Sequence, residues 1–294
     1  MNRTPRRGGF GAALAALKSA LQWRLLLLWI LATLVPTLLV ATPMWTTLQA
    51  RFGHSLYASQ IAAGQDVSLL MQGFAKVNES MGWLVAGLGG STLLMLLVAP
   101  WLTGMVIASL RAGRRLGFGE LVHGGVSEYW RMFRMMLWSL IPLGIALAIG
   151  GGIMGAMGSG AGDAILAADA DAAGRNGMIV AGIVFVLLHA TVEAGRGWLG
   201  ADRTLRSVVK AWWRGVKLLV RRPLATLLVY VVASLVGYGL AVLFAWWRVH
   251  ADGTGIGAFV LSFLLGQAVV AMIAWARIAR VTGMASLAAG QVRA

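Results

Sequence analysis

The 294-residue sequence contains no cysteine. Without thiols the chain can form no disulfide, no thiolate metal site and no cysteine nucleophile. Charge is also scarce, because only 12% of the residues are charged whereas 59% are hydrophobic, and mean hydropathy is +0.78. This balance lies far outside the range of soluble globular proteins and excludes a water-soluble fold.

Catalytic signatures are missing as well. The sequence has no HExxH zinc motif, no phosphate-binding P-loop and no dinucleotide-binding glycine fingerprint. Asp169 and Asp171 alternate as in a calcium loop, but the glycine and distal glutamate of such a loop are absent. We therefore predict no catalytic residue, no metal site and no cofactor, and we rank a membrane-embedded enzyme third among the possible functions.

Long apolar stretches are what the sequence has instead. A helix needs about 20 apolar residues to cross roughly 30 Å of hydrocarbon, and six stretches reach or approach that length. We predict spans at 25–48, 81–110, 135–157, 177–195, 223–247 and 256–276. The predicted fold class is an all-α, polytopic membrane helix bundle.

The basic residues are distributed unequally between the segments that connect these spans. With the amino terminus inside, the inner segments hold 21 of the 25 lysines and arginines and the outer loops hold 4. Because basic residues mark cytoplasmic segments, we predict that both termini are cytoplasmic in a bacterial inner membrane. The net charge of +15 then indicates contact with anionic lipid of the inner leaflet, and nucleic acid is not an expected partner.

A Trp-Arg pair stands at the start of three spans. The pairs are Trp23-Arg24, Trp130-Arg131 and Trp213-Arg214, and the inner ends of spans two, four and six carry Arg111, Arg196 and Arg280. Arg111 and Arg196 are 85 residues apart, and Arg196 and Arg280 are 84 apart. This period predicts three units, 1–116, 117–201 and 202–294, each with an interfacial helix and two spans.

The interfacial helices are predicted from apolar periodicity at 10–23, 117–133 and 203–219. Their apolar stripes contain Phe10, Leu14, Leu17 and Leu21 in the first, Phe118, Val122, Val126, Tyr129 and Phe133 in the second, and Leu205, Val208, Trp212, Val216 and Leu219 in the third. Such helices lie in the headgroup plane, where the six residues of the Trp-Arg pairs act as interfacial anchors.

In layout the chain resembles the YciC-like group of bacterial inner-membrane proteins, in which an amphipathic helix precedes each of three span pairs. The resemblance rests on the three Trp-Arg pairs and the period of about 84 residues, and it covers the whole chain. It implies the six-span fold and implies no catalytic residues.

Ionisable residues inside spans are costly and mark candidate functional sites. His189, Glu193 and Arg196 follow one another at helical spacing and share one face of span four. They either form a polar path, joined by Gln267 of span six, or end a short span at the solvated interface.

Two further functional hypotheses follow from these observations. The first is a non-enzymatic component of the membrane, acting in envelope or lipid homeostasis or as an accessory subunit, with a partner membrane protein or a second copy as possible neighbours. The alternative is a small transporter or channel that uses the polar path. An enclosed aqueous cavity around the four polar residues would favour transport, and a dry bundle would favour the first hypothesis.

Overall fold

A computed structural model of the protein describes residues 9–54, 81–162, 167–251 and 255–292. Within these ranges the chain forms eight α-helices and no strand, and the all-α prediction is confirmed. The helices are α1 (Gly9–Ser19), α2 (Trp23–Phe52), α3 (Met81–Ala112), α4 (Phe118–Gly162), α5 (Ala167–Ala201), α6 (Val208–Arg221), α7 (Pro223–Val249) and α8 (Ile256–Val292).

Six of these helices, all except α1 and α6, are long and apolar enough to cross a membrane. They also expose large apolar side chains along much of their length, including Val35, Leu97, Leu147, Val242 and Phe259. A soluble protein rarely exposes apolar surface this extensive, whereas acyl chains solvate it well. The chain is therefore a multi-pass membrane protein.

Helix α4 is longer than one membrane crossing. The predicted interfacial helix 117–133 and the predicted span 135–157 form one continuous helix of 45 residues. At 1.5 Å per residue it is about 68 Å long, roughly twice the hydrocarbon thickness of a bilayer. Its first four turns must therefore extend beyond the hydrocarbon or cross it obliquely.

Helix α8 likewise continues past the predicted end of its span. Arg277 was expected to terminate the sixth span, but α8 runs for 37 residues and ends at Val292. Residues 278–281 are all buried against neighbouring helices. An arginine that is packed between helices does not need to end a membrane span, because the protein itself supplies its partners.

Consecutive spans pack as antiparallel pairs through small residues. A β-carbon built on Gly150 of α4 would lie 3.3 Å from the β-carbon of Ala181 in α5, and one on Gly237 of α7 would overlap with that of Ala276 in α8. Gly90 of α3 packs in the same way on Leu39 of α2. Small side chains let the helix backbones approach closely, which is how helices associate in lipid.

The start of α4 and helix α6 each pack on the span pair that precedes them, whereas α1 packs on the last span pair. The start of α4 packs on α3, where Gly125 meets Gly104, and α6 packs on α5, where Gly215 meets Gly195. Helix α1 packs on α7 and α8, where Ala16 meets Gly283. Trp275 of α8 fixes this last contact by donating a 3.0 Å hydrogen bond to the carbonyl of Leu17.

Candidate functional site

The carboxyl-terminal part of α5 is the centre of the bundle. All eleven residues from 190 to 200 are buried. Helices α3, α4, α6 and α8 surround this segment, and α5 carries three glycines, Gly195, Gly197 and Gly200, where they approach. A β-carbon on Gly197 would lie 2.6 Å from the β-carbon of Met284 and 2.7 Å from its backbone carbon.

Three of the four residues of the predicted polar path meet in this segment. Arg196 donates a 2.8 Å hydrogen bond to Oε1 of Glu193, and Nε2 of His189 lies 3.6 Å from the same oxygen. On its other side, Nδ1 of His189 shares a 2.6 Å hydrogen bond with the hydroxyl of Tyr230 from α7. Glu193 is only 1% exposed. These side chains are packed inside the protein and do not form a solvated end of the span.

Gln267, the fourth predicted residue, does not join them. It is half-buried on α8, thirteen residues before Arg280, which corresponds to about 20 Å along the helix axis. A path through all four side chains would have to extend across this separation. The structure therefore brings together His189, Glu193 and Arg196 and leaves Gln267 apart.

Two arginines of α8 complete the buried charge cluster. Arg280, 3% exposed, donates hydrogen bonds to the hydroxyls of Ser234 (3.1 Å) and Tyr238 (3.3 Å), and its guanidinium lies 5.5 Å from the ring centre of Tyr230. Arg277 donates to the hydroxyl of Thr103 in α3 at 3.2 Å and lies 5.8 Å from the ring centre of Trp29. Both arginines act electrostatically on Glu193.

The sequence does not predict these two arginines as members of the cluster. Arg277 follows the predicted end of span six and Arg280 marks its inner end, whereas the structure packs both between helices. Their i, i+3 spacing places them on adjacent parts of one helix face. That spacing, together with the apolar residues that continue beyond them, was the available signal.

The cluster carries more positive than negative charge, and some of its polar atoms have no hydrogen-bond partner within the described ranges. Three arginines face one carboxylate. Glu193 Oε2, Arg277 Nε and Arg280 Nε are buried without a hydrogen-bond partner within the described ranges. Unpaired buried polar atoms lower the free energy of unfolding, so the cluster is held in place by the packing of the surrounding helices.

A second network joins α3, α4 and α5 near the same end of the bundle. Glu128 of α4 forms ion pairs with Arg111 of α3 and with Arg131. Arg111 also donates to the backbone carbonyls of Leu199 and Gly200 at the end of α5. These bonds satisfy carbonyls that the helix terminus would leave unpaired.

The three Trp-Arg pairs share one arrangement. The indoles of Trp23, Trp130 and Trp213 are 60%, 64% and 52% exposed. The following arginines turn toward the protein: Arg24 donates to the carbonyl of Leu116, Arg131 pairs with Glu128, and Arg214 lies 2.9 Å from Asp202. An exposed indole beside a tethered cation suits an interfacial anchor, and that role stays a prediction.

Asp202 stabilises the segment that connects α5 and α6. A hydrogen bond from the hydroxyl of Thr204 holds the pKa of Asp202 below its usual value, and the hydrogen bond from Arg214 acts in the same direction. The carboxylate is therefore charged throughout the physiological range. It fixes the start of α6 relative to the end of α5.

Helix α6 has three distinct faces. One is buried against α5 and contains Ala211, Gly215 and Leu218. A second is apolar and exposed, with Val209, Trp213 and Val220, and a third is basic and exposed, with Lys210, Arg214, Lys217 and Arg221. Four residues of the predicted stripe, Val208, Trp212, Val216 and Leu219, lie between the first two faces and are half-buried, whereas Leu205 is buried and precedes α6.

No group of three or more His, Asp or Glu side chains within the described ranges could hold a metal ion. Comparison with family models, with curated proteins and with solved structures finds no match to this chain. Any functional conclusion must therefore rest on the geometry described above.

Proposed function

We propose that this protein is a non-enzymatic component of the bacterial inner membrane that holds anionic phospholipid at its cytoplasmic face. Its role would be in envelope or lipid homeostasis, or as an accessory subunit of a membrane assembly. The observation that carries this proposal is the surface of α6, where an exposed apolar face and an exposed basic face run side by side.

An apolar face beside a basic face has a preferred position in a membrane. Val209, Trp213 and Val220 gain free energy when acyl chains cover them, and the neighbouring basic side chains then reach the headgroups. Each lysine or arginine near an anionic leaflet contributes about 1 kcal/mol of attraction. The four basic residues of this face thus favour anionic over zwitterionic lipid.

The excess of basic residues on one side supports the same orientation. The connections at 113–117 and 202–207, helices α1 and α6, and the buried charge cluster all lie toward one end of the bundle. This is the end on which the sequence places 21 of the 25 basic residues. The positive-inside tendency assigns that end, and both termini, to the cytoplasm.

Transport along α5 is the second hypothesis, and the observation that favours it is the contact between half-buried His189 and buried Glu193 inside the bundle. It ranks lower because these groups bind one another and Gln267 lies apart. Flux through proteoliposomes that is lost in a folded His189→Ala, Glu193→Gln variant would reverse this order.

Lipid retention tests the proposal directly. Polymer nanodiscs cut from bacterial membranes retain the lipids around the protein, and mass spectrometry compares their anionic fraction with that of the bulk membrane. We expect at least about twofold enrichment of anionic lipid around the unmodified protein. Replacing Lys210 and Lys217 with glutamine should reduce this enrichment.

A matched control removes two cations from the opposite end. The Arg175→Gln, Arg248→Gln variant carries the same change in charge, and both arginines are exposed. It should retain the enrichment. Absence of enrichment around the unmodified protein, or an equal loss in the two variants, would contradict the proposal.

A further inference from the structure

A cleft of about 500 Å³ lies where the end of α5, helix α6 and the last turns of α8 meet. Its wall contains Trp198 from α5, and Gly290 and Gln291 from α8. The rest of the wall is basic, with Arg214, Lys217 and Arg221 from α6 and Arg222 from the junction that follows. None of these residues belongs to the buried cluster around Glu193.

The positive charge of the cleft is largely uncompensated. Arg214 pairs with Asp202 at 2.9 Å. Lys217, Arg221 and Arg222 form no ion pair with any residue that the structure describes. Four cations and one carboxylate leave a formal charge of +3, which raises the positive potential in a partly enclosed volume. The cleft is therefore suited to a multiply charged anion.

Trp198 adds a rigid surface to the wall of the cleft, with 6% of the residue exposed. The guanidinium of Arg214 lies 5.2 Å from the ring centre, an arrangement that orients the arginine. An oriented guanidinium in a basic wall matches a ligand that is rich in oxygen.

We propose that this cleft binds a phosphomonoester. Guanidinium groups bind phosphate oxygens in a bidentate manner, and a phosphomonoester carries about −1.5 to −2 charge at neutral pH. A phosphodiester carries one charge and compensates the cleft less completely. The volume lies within the usual range for small-ligand sites and exceeds that of a bare phosphate, so it accommodates the group that the phosphate esterifies.

This inference rests on the proposed function, because a lipid headgroup reaches the cleft only if this end of the bundle lies at the cytoplasmic headgroups. The shared chemistry could come from a lipid phosphomonoester or from a soluble one. Both sources are tested below.

Calorimetric titration of the full-length protein in neutral detergent provides the test, with three probes. Dioctanoyl phosphatidic acid is the lipid phosphomonoester, glycerol 3-phosphate the soluble one, and dioctanoyl phosphatidylglycerol the phosphodiester control. The test variant is Lys217→Gln, Arg221→Gln, which removes two exposed cations of the cleft. The matched control is Arg115→Gln, Arg206→Gln, which removes two exposed cations outside its lining.

We expect a phosphomonoester to bind more tightly than the phosphodiester. The test variant should weaken binding about 30-fold, since each cation near an anionic headgroup contributes about fivefold. The control variant should bind like the unmodified protein. Binding of phosphatidic acid alone supports a lipid source, and equal binding of glycerol 3-phosphate supports a soluble one.

Equal weakening in the two double variants, or equal affinity for all anionic lipids, would overturn the site and would indicate diffuse attraction by the whole basic face. That result would leave the proposed function intact as long as the nanodisc enrichment persists. Loss of the enrichment would contradict the proposed function itself, so the two failures are distinguishable.

Discussion

Glu193 shows at the scale of one residue how a charge can be kept inside this bundle. Its carboxylate is 1% exposed and accepts a 2.8 Å hydrogen bond from Arg196. Burial of the two ions costs several kcal/mol of hydration free energy, which their attraction offsets only while both are present. Removal of Glu193 leaves Arg196, Arg277 and Arg280 without the carboxylate that they face.

Replacing Glu193 with glutamine should lower the free energy of unfolding by about 3–5 kcal/mol, because the buried arginines then have no carboxylate partner. Adding Arg196→Met to this variant should restore part of the loss, because one unpaired charge is then gone. Equilibrium unfolding in mixed micelles measures both effects.

The exposed pair Arg114 and Glu120 provides the control, since solvent screens it. Glu120→Gln should leave the free energy of unfolding nearly unchanged. If Glu193→Gln were equally neutral, the cluster would have no stabilising role.

Gly197 is a second residue whose surroundings restrict the side chain, because they leave no space for a β-carbon. A methyl group there would overlap with the backbone of Met284, so α5 and α8 would have to separate. Overpacking of this kind costs about 1–3 kcal/mol.

We therefore expect Gly197→Ala to reduce thermal stability in detergent. Gly182→Ala on the same helix is the comparison, because a β-carbon there meets no atom within 4 Å. Gly182→Ala should be neutral or slightly stabilising, given the higher helix propensity of alanine. Similar melting temperatures for the two variants would contradict close contact between α5 and α8 at Gly197.

At the scale of one element, α6 connects packing with membrane position. Its glycine and alanine face allows close contact with α5, and its other two faces remain available to lipid and headgroups. The apolar and basic faces repeat at steps of three and four residues, as expected for one straight amphipathic helix.

Spin labels attached to introduced cysteines test this placement. Labels at Val209, Trp213 and Val220 should be relaxed mainly by oxygen, which concentrates in acyl chains. Labels at Lys210, Lys217 and Arg221 should be relaxed mainly by a water-soluble nickel reagent. A helix lying outside the membrane would make all six positions equally accessible to nickel.

The elements also show what the sequence could and could not predict. The six spans follow from uninterrupted apolar stretches, because only a lipid environment tolerates them at this length. The continuity of α4 and of α8 does not follow from the sequence, since Arg134 and Arg277 flank the predicted spans 135–157 and 256–276. The sequence does not distinguish an arginine that is hydrated from one whose partners come from a neighbouring helix.

Contacts between distant parts of the chain were equally beyond prediction. Trp275 and Leu17 are 258 residues apart and share a hydrogen bond. His189, Glu193 and Arg196 could be grouped because they lie on one helix face, whereas Tyr230, Arg277 and Arg280 join them only through tertiary packing. The absence of Gln267 from the cluster has the same origin, because spacing within one helix says nothing about register between two.

In the whole molecule, α1, the start of α4 and α6 lie around one end of a six-span bundle; the start of α4 and α6 pack on the preceding span pair, and α1 packs on the last pair. That end carries the buried cluster, the basic cleft and most of the positive charge. The proposed orientation places this basic end at the cytoplasmic leaflet, where anionic lipid supplies the complementary charge.

The absence of native cysteine makes one measurement especially direct, because every introduced thiol is the only thiol in the chain. Single cysteines at Arg115 and Arg206 mark the basic end, and those at His54 and Arg175 mark the opposite end. Each is exposed to a membrane-impermeant maleimide, first in spheroplasts and then in inside-out vesicles. The account predicts labelling of His54→Cys and Arg175→Cys only in spheroplasts, and of Arg115→Cys and Arg206→Cys only in inverted vesicles. The reverse pattern would place the basic end outside and contradict the account.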